Sequence, residues 1–314
     1  MYKKKRVAIV VPAFNEQAHV ADVVRTAPKY ADFVIVVDDG SADATSAQAK
    51  RAAGSALGKR VFVLRHDKNR GVGAAIVTGH KKALELSADA VIVMAGDGQM
   101  PPQHAHALLD ALDAGYDYAK GNRFLGKGAL RGMPALRVIG NMILTFLTKA
   151  ASGYWQIFDP QNGFTAIRAS ALRALDLDSL AHDYVFENDL LVKLNIAGCR
   201  VKDVAIPARY ANEKSGIKLW KFVPRAAWHL KKSLLKRIYE KYVLRDFHPI
   251  ALFMFGGFVL AAVGFVTGAW ILWEKFTAHL SPSVGSVLLC LLPLVVGIQL
   301  LLTALILDVY ETPR

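Results

Sequence analysis

Along the first 120 residues, short apolar runs alternate with polar turns and with stretches of helical spacing. Val7–Val11, Phe33–Val37, Val61–Leu64 and Ala90–Met94 are each four or five residues long and rich in β-branched side chains. A continuous apolar run of this length predicts a strand covered on both faces, as parallel sheets require. Pro12-Ala13-Phe14-Asn15-Glu16 breaks the first run, and a helical pattern follows to Pro28. Asp38-Asp39-Gly40-Ser41 ends the second, with Ser41 or Asp43 as the cap of the next helix. Asn69-Arg70-Gly71-Val72-Gly73 opens a helix to Leu86, Pro102–Ala114 reads as helical, and Tyr116–Lys120 reads as a fifth strand. Repetition of strand and helix predicts an α/β fold with a mostly parallel sheet and helices on both faces.

The rhythm changes from Leu130. Leu130–Ala151 and Val185–Ala197 read as helices, and Gly163–Arg168 and Arg200–Tyr210 as extended segments. This less regular half suits a region that shapes a substrate site. Pro224–Leu244 spaces Ala227, Leu230, Leu234, Ile238 and Tyr242 by three or four, with lysines and arginines between them. Such a basic amphipathic helix suits an anionic membrane surface, the plainer alternative being a cationic helix packed on its own domain. Ile250–Trp273 and Val284–Leu307 follow, each 24 residues long and uncharged. Each reaches across a hydrocarbon core of about 30 Å. Pro282 lies in the short linker between them, so the pair reads as a hairpin. The expected organisation is a catalytic domain over 1–213, a basic loop and juxtamembrane helix over 214–249, and two spans within 250–310.

Composition fits this division. Hydrophobic residues make up 53% of the 314, and the excess collects in the two spans. The net charge is +13, and Lys214–Arg245 alone holds ten Lys/Arg against one acid, Glu240. By the positive-inside rule, residues 1–249 and the tail from Glu311 are expected on the cytoplasmic side. That describes an integral protein of a bacterial inner membrane or its equivalent, with a cytoplasmic domain. The basic start, Lys3 to Arg6, does not read as a signal peptide, because the apolar run stops at Asn15-Glu16 without a small-residue cleavage site. Cys199 and Cys290 fall in different regions and support neither a disulfide framework nor a metal cluster.

Three turns carry candidate chemistry. Asp38 and Asp39 end the second strand, where a carboxylate accepts from ribose hydroxyls or a base edge; a turn with a helix cap fits them equally well. Arg70-Gly71-Val72-Gly73 offers glycines, a cation and a helix N-terminus, as a phosphate cradle does, although an ordinary strand-to-helix turn has the same residues. It lacks the Lys-Ser/Thr of a P-loop, and no G-x-G-x-x-G follows the first strand. Asp97 and Gln99 stand two apart after a buried strand. In extended backbone they point the same way, so both are expected to meet one hard cation, Mg²⁺ or Mn²⁺, beside phosphate oxygens. A turn aspartate without metal is the alternative.

Four motifs then stand in order: Val-Pro-Ala-Phe-Asn-Glu (11–16), Val-Val-Asp-Asp-Gly-Ser (36–41), Asn-Arg-Gly-Val-Gly-Ala-Ala (69–75) and Gly-Asp-Gly-Gln-Met-Pro-Pro (96–102). Together they resemble the family 2 glycosyltransferases of GT-A fold. Gly121-Asn122-Arg123-Phe124, Asp159-Pro160-Gln161-Asn162-Gly163-Phe164, Phe186-Glu187-Asn188-Asp189 and the terminal hairpin resemble the dolichol-phosphate mannose synthase type, whose acceptors are polyprenyl phosphates. The resemblance covers residues 5–250. It implies that Pro12, Ala13, Glu16 and Asp39 line the base and ribose, with Asp38, Arg70, Gly71 and Gly96 beside them. It implies that Asp97 and Gln99 hold the metal, and that Arg123 and Arg137, with Arg131, grip the lipid phosphate. Lys214 and Lys218 fall where relatives have a basic segment closing over diphosphate, and Glu187 and Asp189 lie in the late acidic motif, with an orienting role. The chain departs from the family at Ala95, where an Asp-x-Asp motif has its first acid.

The implied activity is an inverting transfer of one sugar from a GDP- or UDP-linked donor to a polyprenyl or dolichyl phosphate at the membrane. The spans offer a surface for homo-oligomer formation, and no nucleic-acid partner is expected. A transferase to another glycolipid is the nearest alternative; the Gln-x-x-Arg-Trp of processive synthases is absent. A non-catalytic GT-A-like scaffold is the alternative that Ala95 keeps open.

Overall fold

β1 (Val7–Ala13) is buried at all seven positions, as its unbroken apolar run requires. The computed structural model describes residues 1–57, 60–125, 135–183, 185–207, 219–279 and 281–313, with the backbone alone at 55–57, 135–139, 141 and 219–226. After β1 the chain runs α1 (Val20–Thr26), β2 (Phe33–Asp38), α2 (Thr45–Leu57), β3 (Val61–Arg65), α3 (Val72–Glu85), β4 (Ala90–Val93) and α4 (Ala105–Asp113). It continues through β5 (Tyr118–Asn122), α5 (Ala135–Ser152), β6 (Thr165–Arg168), α6 (Ala169–Arg173), α7 (Phe186–Ile196), β7 (Val201–Ala205) and α8 (Leu219–Arg237). The strands form one sheet in the order β3-β2-β1-β4-β6-β5-β7. Only β6 runs against its neighbours, β4 and β5. Strand order reverses between β1 and β4, and open α/β sheets bind ligands at the carboxyl ends beside such a point.

Alternation along the strands divides the core into two layers. Val7, Ile9, Val11, Val34, Val36 and Ile92 pack with α1 and α4 on one face. Ala8, Val10, Ile35, Val37, Val91 and Val93 pack with α3 and α7 on the other. β5 differs from its expected span, running to Asn122 instead of ending at Lys120. It is buried throughout although it contains Lys120 and Asn122, because neighbouring segments supply their partners: the Asn162 carbonyl for Lys120 and the Asp203 carboxylate for Asn122.

The chain divides into two compact units, one from Met1 to Leu234 and one from Leu235 to Thr312. In the second, a π-helical turn (Ile238–Leu244) follows α8 and leads to α9 (Pro249–Thr277) and α10 (Val284–Tyr310). Both long helices overrun their expected spans, and each is long and apolar enough to cross a membrane. Gly257 and Gly264 on α9 meet Gly297 and Leu294 on α10 so closely that added β-carbons would stand 2.9 Å from Gly297 O and 2.7 Å from Leu294 N. Small residues bring apolar helices together in this way. Phe255, Phe265 and Trp273 remain exposed on the outer surface of the pair.

At the end of α10 stands a buried charge cluster. Arg237 donates from Nη1 and Nη2 to the two oxygens of Asp308 at 2.6 and 3.0 Å. Tyr242 Oη donates to Asp308 Oδ1 at 2.6 Å. The amphipathic helix expected over 224–244 is thus α8 followed by a wider, π-helical turn, with Arg237 at the end of α8 and Tyr242 in the turn both buried.

Candidate active site

The four motifs meet at the carboxyl ends of β1, β2 and β4. Pro12 O accepts from Gly96 N at 3.0 Å, and Ala13 O accepts from Asp39 N at 2.9 Å. The segment after β1 is laced to the one after β2: Asn15 N donates to Ser41 Oγ, Ala42 N to Asn15 Oδ1 and Glu16 N to Thr45 Oγ1. Pro12 and Ala13 therefore lie between the Asp39 turn and the Asp97 turn, and Glu16 enters the frame beside them.

The two aspartates of the second motif separate. Asp38 is fully buried and accepts from Ser41 N at 2.8 Å and from Ser46 Oγ, with Arg65 Nε at 3.7 Å. Burial raises its pKa, but the bonds from Ser41 and Ser46 outweigh that and hold it below the usual carboxylate range. Asp38 thus closes its own turn, one of the two readings its motif left open. Asp39 accepts from Arg70 N (2.9 Å), Gly71 N (2.8 Å) and His66 Nδ1 (2.7 Å). His66 Nε2 pairs in turn with Thr78 Oγ1 at 2.9 Å. His66 had no role in the sequence reading; its only signal was its place between β3 and the Asn69–Gly73 motif.

Of the two readings of the α3 N-terminus, phosphate cradle or ordinary strand-to-helix turn, the hydrogen bonds fit the turn. Gly71 N is taken by Asp39 and Asn69, and Gly73 N donates to His182 O at 2.9 Å. Those donors are used in joining β2 and the 181–183 segment to α3. The Arg70 side chain is exposed. Gly71 has φ +98°, and a β-carbon there would stand 2.3 Å from His182 O. Gly71→Ala is therefore expected to destabilise the fold by about 1–3 kcal/mol and to blunt the thermal shift produced by nucleotide, both read in melting curves.

Asp97 is half-buried, and its Oδ1 accepts from Gln99 N at 2.9 Å. Gly98 between them has φ +71°. The segment is a turn and not extended backbone, so the alternation that put the Gln99 side chain beside Asp97 does not apply. Among the described residues no group of three or more His, Cys, Asp or Glu is arranged to hold a metal. A single carboxylate still suits a hard cation such as Mg²⁺, which takes one or two protein oxygens and completes its shell with phosphate and water. Asp97 fits that part; Ala95 offers nothing to it.

Just after β5, Arg123 grips Asp159 bidentately, Nε to Oδ2 at 2.8 Å and Nη2 to Oδ1 at 3.0 Å. Asp159 is buried. The pair is flanked by exposed apolar side chains, Leu125 and Phe158, and Thr145 Oγ1 donates to Phe158 O, bringing up the exposed Met142, Ile143 and Phe146 face of α5. Lys149 Nζ lies 3.5 Å above the Phe158 ring. Arg131, Lys214 and Lys218 lie outside the described residues, and of Arg137 only the backbone, in α5, is described.

The two late acids also separate. Glu187 Oε1 would be 3.6 Å, and Met100 Cε 3.4 Å, from a β-carbon at Gly163, so α7, the Asp97 segment and the 159–163 segment converge there. Burial pushes the Glu187 carboxyl up, and Lys120 pulls it back. Asp189 instead accepts from Ala181 N and pairs with Lys193 at 3.0 Å, which ties α7 to the loop before it. Its engagement within the protein is architectural.

The family description "Glycosyl transferase family 2" matches residues 8–176, more than half of the chain. The chain belongs to glycosyl transferase family 2. This family 2 glycosyltransferase is 30% identical over 236 residues to the UDP-N-acetylglucosamine–dolichyl-phosphate N-acetylglucosaminyltransferase of Methanococcus voltae, covering 69% of this chain and 94% of that one. It is 30% identical over 224 residues to the polyprenol monophosphomannose synthase of Mycolicibacterium smegmatis, covering 68% and 80%. Among solved structures it is similar to glucosyl-3-phosphoglycerate synthase from Mycobacterium tuberculosis in complex with Mn²⁺, UDP and phosphoglyceric acid, with a TM-score of 0.55, 19% identity and coverage of 74% and 78%. That likeness is one of fold.

Proposed function

We propose that this glycosyltransferase moves one sugar from a GDP- or UDP-linked donor to a polyprenyl phosphate, with inversion at the anomeric carbon. The observation that carries the reading is Arg123, a cation fixed by Asp159 and flanked by the exposed apolar side chains Leu125 and Phe158. A phosphate on a hydrocarbon tail has the matching chemistry: an anion for the guanidinium and an apolar chain for the surface beside it. The names of the two curated relatives, each with a polyprenol-type lipid acceptor, support the same class.

The donor nucleotide lies against Pro12, Ala13, Glu16 and Asp39, with Arg70, Gly71 and Gly96 at its border and Asp97 at its diphosphate. Mg²⁺ or Mn²⁺ held at Asp97, when bound, would offset the charge of the departing diphosphate. Arg123, with Arg137 and Arg131, orients the acceptor phosphate, and Lys214 and Lys218 border the diphosphate. An acceptor phosphate with a second pKa near ~6 is already ionised at neutral pH, so Glu187 orients and does not need to take a proton. The α9–α10 pair anchors the enzyme, and the lysines and arginines before it keep residues 1–249 on the cytoplasmic side.

Membranes bearing the protein are expected to convert labelled nucleotide-sugar and undecaprenyl or dolichyl phosphate into labelled lipid with Mg²⁺ or Mn²⁺. Absence of labelled lipid with every common UDP- and GDP-linked donor sinks the reading.

A further inference from the structure

Lys120 is 0% exposed in the middle of β5, where a lysine is rare unless it is paired. Its register partners are Asp203 on β7 and Thr165 on β6. Its ammonium donates to the carbonyl of Asn162. Glu187 on α7, Asp159 in the segment before β6 and Asp203 on β7 surround it with negative charge, and Arg123 adds a positive one. Glu187 in turn feels Lys120 and Asp183, while the Tyr118 hydroxyl feels Glu187 and Asp203, and Lys149 feels Asp203.

The bond to Asn162 grips the middle of a short segment with a role at each end. Asp159 at one end holds Arg123 by two hydrogen bonds. Gly163 at the other end lies against Glu187. Arg123 is matched by Asp159, and Asp203 has Lys149 as a second cation, which leaves Lys120 as the cation that offsets Glu187; one oxygen of Asp203 has no hydrogen-bond partner among the described residues. A buried acid in such a cluster depends on its neighbouring cation.

We propose that Lys120 is a positioning residue for the acceptor side: it fixes the Asp159–Gly163 segment from beneath, and with it Arg123, and it is the counter-charge of Glu187. The acceptor part rests on the reading above, in which Arg123 meets a lipid phosphate; the charge pairing does not.

The test uses the full-length enzyme in lipid nanodiscs, with Lys120→Met removing the charge at similar length. The KM for undecaprenyl phosphate is expected to rise at least tenfold, while the KM for nucleotide-sugar stays within about twofold. Without its cation Glu187 holds its proton to higher pH, so the acid limb of kcat/KM is expected to move upward. A residue that only supports the fold would move neither the KM split nor the pH profile. Melting of Lys120→Met, Glu187→Gln and the double variant supplies a second reading without any acceptor. The double variant is expected to melt higher than Lys120→Met alone, since no unmatched acid remains at 187. Additive melting shifts overturn the pairing. A folded Lys120→Met with wild-type acceptor KM and pH profile overturns the positioning role. If Lys120→Met does not fold, the double variant is compared with Glu187→Gln: an acceptor KM equal to that of Glu187→Gln overturns the proposal, and one at least tenfold higher upholds it. Wild-type protein that melts with the expected coupling but glycosylates no polyprenyl phosphate counts against the assigned acceptor and not against the Lys120–Glu187 pair.

Discussion

Asp97→Asn is expected to lower kcat/KM by about 10³-fold, close to ~4 kcal/mol of transition-state stabilisation, with the melting temperature unchanged. Asparagine has the same shape and keeps an oxygen where Asp97 Oδ1 accepts the Gln99 amide, so the turn survives. Its charge does not. In a family whose motif has two acids at this turn, the chain has Ala95 at the first, and among the described residues no group of three or more His, Cys, Asp or Glu is arranged to hold a metal in place of Asp97. The measurement is labelled-lipid formation over a Mg²⁺ and Mn²⁺ titration, with a melting curve alongside. Near-native turnover in Asp97→Asn would show that the departing diphosphate does not need this carboxylate.

Arg237→Ala is expected to produce the largest loss of stability in the second unit, about 3–5 kcal/mol. Arg237 and Asp308 expose 2% and 9% of their side chains and share two hydrogen bonds. Removing the cation strands a buried carboxylate whose remaining donor named here is Tyr242. Replacing both partners together with Met and Leu removes the stranded charge, and that variant is expected to melt above Arg237→Ala. The order of the two melting temperatures in detergent checks this; a single variant at least as stable as the double would mean that the pair is solvated.

Much of the fold is legible in the sequence because both faces of its central strands are covered. Val7–Ala13, Phe33–Asp38 and Ala90–Val93 show it as unbroken apolar runs, and the two long uncharged stretches declare themselves in the same way. β5 is harder to read, because its polar side chains are satisfied by residues 42 and 81 positions away. The site is legible as a set of motifs but less so as roles. Asp38 and Asp39 are neighbours in sequence, yet one closes its own turn and the other ties down the α3 loop. Gln99 was read with strand geometry, and Gly98 turns the chain before it. Glu187 and Asp189 were read as a pair, yet positions two apart on a helix face different ways. The Asp39–His66–Thr78 chain left no trace in any periodicity, since it joins three elements at single positions.

Asp39 closes its loop with protein donors, so the surface we propose for the nucleotide is set when the chain folds. A nucleotide then meets a surface already in shape, and little conformational freedom is lost there on binding. Substitutions at His66 or Thr78, neither of them at the ligand, would return that freedom to the loop. Their signature is a less favourable binding entropy with the direct contacts intact, and a nucleotide that associates more slowly while the chemical step keeps its rate.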